Sequence, residues 1–448
     1  MTAGRDTRGG RPVEVSHARV LAIAAPMTLA HLSTPLLGVA DTAVIGQLGD
    51  AALIGAVALG SVIFDFVFWG FGFLRMGTTG LTAQAVGAGD DTEMRASLAR
   101  ALLIAAACGV ALAALQWPVG EIAHRAMGAS PAVDAAAREY FAIRIWSAPL
   151  AFANYAILGW FLGRGEAGTG LLLQVFLNGL NICLNVALVL GLGMGVAGVA
   201  LGTVIGEAAT VVLGGALAWR ALGGRLSVPR AVVLDRARMV ATVAVGRDIM
   251  IRSLSLVFAF AFFAAQGARL GDVQLAANAV LMNLFLVGAY FLDGIATAAE
   301  QLCGAAVGAR NRAAFRRAVA LASLWGVGLA LSLGMAVWLG GGGAVDLMTT
   351  SEEVRAAART FLPYAALTPV LGVMAFVYDG VYVGATWGAA MRNLMIASLA
   401  VFLAAWAVLT PAFGNHGLWA ALLVFLGARG LFQGLALPGL ARRSFPAG

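Results

Sequence analysis

The sequence predicts an all-α polytopic membrane protein, with twelve transmembrane helices in two pseudo-symmetric six-helix bundles. Composition, a regular succession of apolar segments and an internal repeat predict it. Of 448 residues, 61% are hydrophobic and only 11% charged, and the mean hydropathy is +0.89. A soluble chain carries roughly a quarter charged residues, so most of this surface must face lipid. A bilayer-crossing helix needs about 20 residues, which leaves room for about a dozen spans and little else.

The apolar segments run over 19–47, 51–82, 93–117, 139–163, 168–190, 196–219, 240–268, 273–305, 314–339, 355–384, 391–412 and 416–440. Residues 1–18, rich in Arg and Gly and without an apolar core, read as a cytoplasmic tail rather than a cleavable signal. The spans then form an amino-terminal lobe over 19–222, a cytoplasmic linker over 223–239, and a carboxy-terminal lobe over 240–448 ending in a short cytoplasmic tail. Three pairs of segments share nearly one offset: Leu48-Gly49-Asp50 with Leu270-Gly271-Asp272, Ala85–Ala88 with Ala306–Ala309, and Leu158–Gly163 with Asp379–Gly384. A stable offset across three helices indicates duplication. Because each copy has six spans, the copies have parallel topology, an architecture of transporters that work by alternating access.

Arginine position sets orientation. Arg95, Arg164, Arg220, Arg236, Arg238, Arg310, Arg312, Arg392, Arg442 and Arg443 fall in or beside connections of one side, whereas Arg125, Arg138, Arg269, Arg355 and Arg359 fall on the other. The positive-inside rule places both termini in the cytoplasm. The pI near 10 is therefore topology and not a nucleic-acid surface.

Several functions are excluded. Every basic residue is Arg, so there is no Walker A lysine and no lysine Schiff base. Cys108, Cys183 and Cys303 sit in apolar runs without metal-ligand spacing and read as small core hydrophobes. The four histidines are scattered, and Gly193-Met-Gly195-Val-Ala-Gly198 joins two apolar helices with no preceding strand, which makes it a tight turn. No paired catalytic groups support an intramembrane enzyme.

Polar residues inside spans are the functional candidates, because lipid penalises them. Asp41 lies about 33 Å of helix beyond Arg19, towards the outer half of the first span, whose Pro26 and Pro35 could bend it. Gln174, Asn178, Asn181 and Asn185, spaced by four, three and four, share one face of the fifth span, and Thr203, Glu207 and Thr210 repeat that spacing in the sixth. Such oxygens beside one carboxylate can hold a hard cation such as Na⁺ or orient a protonatable Asp, or else bond helix to helix. The second half carries Gln266, Asn278, Asn283, Asp293, Glu300, Tyr378 and Asp379, which either line a substrate cavity or pair with Arg75, Arg252 or Arg429. The aromatic run Phe64–Phe73 is either a stacking surface for flat cations or packed core.

These motifs resemble a known family. Phe73-Leu-Arg75-Met-Gly-Thr-Thr79-Gly-Leu-Thr-Ala-Gln84 resembles the second-span motif of the DinF subfamily of multidrug and toxic compound extrusion (MATE) transporters. Asp41 in Ala-Asp-Thr-Ala-Val-Ile-Gly is similar to its first-span signature, Asp293–Glu300 to its eighth and Asp379–Thr386 to its tenth. The resemblance implies a monomeric antiporter of the bacterial inner membrane, without a cofactor, that exports organic cations and amphiphilic drugs in exchange for H⁺ or Na⁺. It maps a coupling site, including an Na⁺ site, onto Asp41, Asn181, Asn185 and Thr203. The expected substrate cavity is Asn178, Gln174, Asn283, Asp293, Glu300, Tyr378 and Asp379. Some relatives carry a second Asp where this chain has Asn185, which leaves one carboxylate in the cluster. The wider superfamily includes lipid-linked sugar flippases, the alternative function.

Overall fold

The computed structural model describes residues 13–128, 130–224 and 228–445. Most of the expected amino-terminal tail, residues 225–227 of the expected linker and the last three residues lie outside them. Among the described residues, twelve helices are long and apolar enough to cross a membrane: His17–Gly46, Ala51–Ala88, Asp91–Ala114, Pro131–Gly163, Ala167–Gly191, Gly195–Ala221, Arg230–Arg269, Asp272–Gly308, Arg312–Met348, Glu352–Gly384, Gly388–Phe413 and Asn415–Ser444. They are numbered here as the first to twelfth spans. Apolar length made each span legible, and their starts follow local chemistry. Asp90 caps the third span by accepting from Glu93 N at 2.8 Å, and Asn311 caps the ninth by accepting from Ala314 N at 2.9 Å.

The expected boundaries differ from the observed ones by up to ten residues, as where the seventh span begins at Arg230 and the ninth ends at Met348. The differences around the second and fourth spans are the informative ones. The fourth span begins at Pro131 rather than 139, opening with Pro in its first turn and Asp134 beside it. A separate helix, Gln116–Met127, precedes it and ends on Gly128 in the left-handed region, at φ 58°. Both stretches mix charges with apolar residues, so hydropathy alone passes over them. On this helix Glu121 accepts from Arg125 at 2.8 Å and Arg138 at 3.0 Å. Those bonds hold its carboxyl below the ordinary range. The second span is also interrupted, its helices Ala51–Gly70 and Phe73–Ala88 meeting at a turn in the aromatic run.

The duplication is visible in the chain geometry. Gly49 and Gly271, one offset apart, both take positive φ, at 71° and 114°, and each precedes the next helix. The repeated close approach is more telling. A Cβ on Gly159 would lie 2.3 Å from the Arg75 carbonyl, and one on Gly380 would lie 2.1 Å from the Ala296 carbonyl. Both glycine and neighbour are displaced by the repeat offset, so each copy uses the same helix crossing. Small residues that let helix backbones meet are the usual means of packing in lipid.

The chain divides into two compact units. One comprises Leu29–Thr82 and Asp90–Val243, and the other comprises the described residues of Met1–Thr28, Ala83–Gly89 and Ala244–Gly448. They are called the amino-terminal and carboxy-terminal units. The amino-terminal unit packs Phe64, Phe68, Tyr140, Phe141 and Phe152 with Ile45 and Val199. The carboxy-terminal unit packs Phe263, Phe285, Phe361, Phe402, Trp419 and Phe425. Most of the aromatic run belongs to the first core, where Phe71 stacks on Phe152 at 4.3 Å between centroids. Of the cysteines, Cys303 is buried but Cys183 is exposed, because a lipid-facing position tolerates a small apolar side chain as well as a core does.

Two helix irregularities place the functional residues. Pro149 cannot donate a backbone hydrogen bond, and the fourth span tightens to a 3₁₀ turn over Ile145–Ser147, immediately after Arg144. The fifth span widens to a π-helical turn over Val186–Gly191, immediately after Asn185.

Candidate ion and substrate site

In the amino-terminal unit, the expected coupling residues meet. Asn185 donates through Nδ2 to Asp41 Oδ1 at 2.6 Å and to Asn181 Oδ1 at 2.8 Å. Asn181 donates to Thr203 Oγ1 at 3.0 Å, and Thr203 donates to the Val199 carbonyl at 3.1 Å. Asp41, Asn181, Asn185 and Thr203 are all buried. The amide face of the fifth span thus reaches the first span on one side and the sixth on the other. Lower on that face, Gln174 donates to Asn178 at 3.3 Å, and Asn178 donates to Ser33 at 2.8 Å.

The direction of this chain follows from donor chemistry. A carboxylate only accepts, so Asn185 must present its NH₂ to Asp41. Its Oδ1 is left buried with no hydrogen-bond partner among the described residues. The sixth span comes close at this point: a Cβ on Gly202 would lie 2.2 Å from that same Oδ1. Only glycine leaves room for the amide.

Four residues that the sequence reading passed over, or noted for another purpose, complete the site. Ser33 anchors Asn178. Asn154 donates to Glu207 Oε2 at 2.5 Å and to its backbone carbonyl at 3.0 Å. Arg144 donates to the Tyr140 hydroxyl at 2.7 Å and to Thr203 Oγ1 at 3.4 Å. Asp65 lies close enough to Arg144 for their charges to interact. Charge within an apolar segment was the available signal for Asp65 and Arg144. Which carboxylate faces which arginine depends on helix rotation, and spacing along one chain does not carry it.

The carboxy-terminal unit holds its candidates differently. Asp379 is paired with Arg252, accepts from Arg429 at 2.7 Å, and accepts from Gln433 at 2.7 Å. Of the two readings of this residue, the geometry supports pairing. Asp293 is near enough to interact with Arg429, Glu300 is buried, and Tyr378 is half-buried on the Asp379 helix. Asn283 is exposed and bonds back to Ala279 O of its own helix at 3.1 Å. Asn278 exchanges hydrogen bonds with Asn415 at 2.8 and 2.9 Å and accepts from Trp419 at 2.8 Å, a helix-to-helix tie. Among the described residues, no group of three His, Cys, Asp or Glu side chains could hold a metal ion.

The MatE family model matches residues 26–187 and 249–409, once in each repeat. The chain is 41% identical over 419 residues to DNA damage-inducible protein F of Escherichia coli (strain K12), covering 91% of this chain and 89% of that one. It is 28% identical over 433 residues to a probable multidrug resistance protein NorM of Bradyrhizobium diazoefficiens, covering 93% and 89%. A MOP superfamily transporter from Pyrococcus furiosus shares the fold, with a TM-score of 0.87 over 98% of both chains at 21% identity.

Proposed function

Starting from the MatE family of multidrug efflux transporters, to which this chain belongs, we propose that it is a secondary antiporter of the bacterial inner membrane. It exports organic cations and amphiphilic drugs in exchange for H⁺, works as a monomer, and keeps both termini in the cytoplasm. The observation that carries this reading is Asp41, a buried carboxylate whose hydrogen bond comes from an amide, Asn185, and not from a cation.

The exchange follows from that geometry. An ionised Asp41 accepts from Asn185 and adds negative charge that favours a cationic substrate. A protonated Asp41 is a donor and needs an acceptor. Asn185 Oδ1, buried without a partner among the described residues, becomes that acceptor once the amide turns over. The turn breaks the Asn185–Asn181 bond within the fifth span, beside the π-helical turn and next to the Asn181–Thr203 tie to the sixth. Proton binding thereby removes charge and changes helix contacts in one event. Either change weakens the hold on a cation, and alternating access then returns the protonated site to the cytoplasm.

Na⁺ fits less well as the exchanged ion. It needs oxygens converging on one point, whereas the amides of Asn185 and Asn181 aim their NH₂ groups along the chain and Arg144 brings a positive charge to Thr203. The flippase alternative needs free basic groups for a pyrophosphate. Arg252 and Arg429 are committed to Asp379, and Arg247 and Arg392 to Asp248 at 2.9 and 2.6 Å. Arg144 has no ion pair among the described residues, but the charges of Glu207 and Asp65 beside it repel a pyrophosphate.

The test is efflux of ethidium from proteoliposomes under a proton gradient or a sodium gradient, for wild type and Asp41→Asn. The expected result is efflux under the proton gradient alone, reduced to background in the variant. Retained gradient-driven efflux in Asp41→Asn would sink the mechanism, and efflux under sodium alone would make Na⁺ the exchanged ion.

A further inference from the structure

Arg144 is surrounded by acids and paired with none of them. The charges of Asp65, Glu207 and Asp41 all reach it. Yet its hydrogen bonds go to Tyr140 and Thr203, and among the described residues it forms no ion pair within 4 Å. Its Nε is buried with no hydrogen-bond partner there. The guanidinium instead lies over two aromatic faces, 5.1 Å from the Phe64 centroid and 5.6 Å from that of Tyr140.

Aromatic faces with carboxylates beyond them are the surroundings that recognise organic cations, because ring quadrupole and anionic charge attract a large, weakly hydrated cation together. Here the parts come from separate helices. Phe64 and Asp65 are neighbours on the second span, Tyr140 is on the fourth, and Glu207 is one helical turn beyond Thr203 on the sixth. Asn154 holds Glu207 in place at 2.5 Å, and the charges of Glu207, Asp65, Arg144 and Arg75 also reach Tyr155. The cage sits next to the Asp41 chain and shares only Thr203 with it, through Arg144.

We propose that Phe64, Asp65, Tyr140 and Glu207 form a binding site for a monovalent organic cation, and that Arg144 is a tethered cation competing with the substrate for it. A guanidinium suits this role because it is always charged, flat and weakly hydrated, much like the substrates themselves. Its partners here are two neutral hydroxyls, which hold less tightly than a carboxylate would, so it leaves without breaking an ion pair. The tether keeps the two carboxylates whose charges reach it from standing uncompensated in the membrane between transport cycles.

The proposal rests on the organic-cation reading above and deepens it. Its test is therefore equilibrium binding, independent of any gradient. Ethidium is titrated by fluorescence anisotropy against the purified full chain in detergent, with Nile red as an uncharged control. Arg144→Gln is expected to lower the ethidium Kd about tenfold, the effect of about 1.4 kcal/mol. Asp65→Asn and Glu207→Gln are each expected to raise it about tenfold, and Nile red binding stays unchanged in all three. If Arg144→Gln does not fold, Glu207→Gln decides: it keeps the shape and the Asn154 contact while removing one charge. Unchanged ethidium affinity in Glu207→Gln, or no tightening in a folded Arg144→Gln, overturns the proposal. Failure of gradient-driven efflux with these binding shifts intact would instead count against the antiport reading and leave the cage standing.

Discussion

Asp41 and Asp379 are both buried carboxylates, one in each compact unit, and they are held in opposite ways. Asp41 accepts from the amide of Asn185, while Asp379 is paired with two guanidiniums and an amide. The difference separates an exchangeable charge from a fixed one. An amide stabilises the ionised acid but leaves no net charge stranded when a proton arrives. Two arginines stabilise the ionised acid so strongly that neutralising it removes the carboxylate both buried cations share. The first arrangement suits a switch, and the second a strut tying the seventh, tenth and twelfth spans.

The sharpest way to break this comparison is Asp379→Asn. Arg252 and Arg429 would then share no carboxylate there, and breaking a buried pair costs about 3–5 kcal/mol. The expected outcome is a large drop in thermal midpoint and in yield of folded protein. A stable Asp379→Asn that loses only transport would show that this acid also switches. By contrast, Asp41→Asn should unfold within about 1 kcal/mol of wild type, read by thermal denaturation in detergent, even though its efflux falls to background.

Smaller effects sharpen the comparison. Gly202→Ala would place its Cβ against Asn185 Oδ1 and displace the amide from Asp41. Efflux should fall roughly tenfold, the scale of one buried hydrogen bond, while ethidium binding at the neighbouring cage is retained. Unaltered efflux would mean that Asn185 has no part in the coupling. At the far end, Glu121→Gln removes an exposed clasp outside both sites. Efflux and thermal midpoint should match wild type, and a loss of efflux would extend the site to the Gln116–Met127 helix.

The hydrogen-bonded set of Asp41, Asn181, Asn185 and Thr203 was legible in the sequence as a polar cluster, because its residues are polar types at helical spacing inside apolar segments. Gln174, Asn178, Asn181 and Asn185 announced a face, and Asp41 an intramembrane charge. Ser33 and Asn154 gave no comparable signal, since one small polar residue in a span is ordinary. Among the described residues, Asn283 ties to nothing beyond its own helix: it is exposed and its amide bonds back to the Ala279 carbonyl.

Sequence alone determined the membrane location, twelve spans and the duplication, because lipid demands long apolar runs and duplication leaves a constant offset. It also determined which residues could carry charge chemistry, since so few polar groups are present. Tertiary structure decided which of them are partners. Whether Asp379 meets arginines, whether Asp41 meets an amide, and whether Arg144 stands among acids without pairing all depend on how each helix is rotated against its neighbours. That rotation is set by close approaches such as Gly202 on Asn185 and by the 3₁₀ and π turns beside Arg144 and Asn185. Spacing along the chain fixes a helix face and leaves open what that face meets.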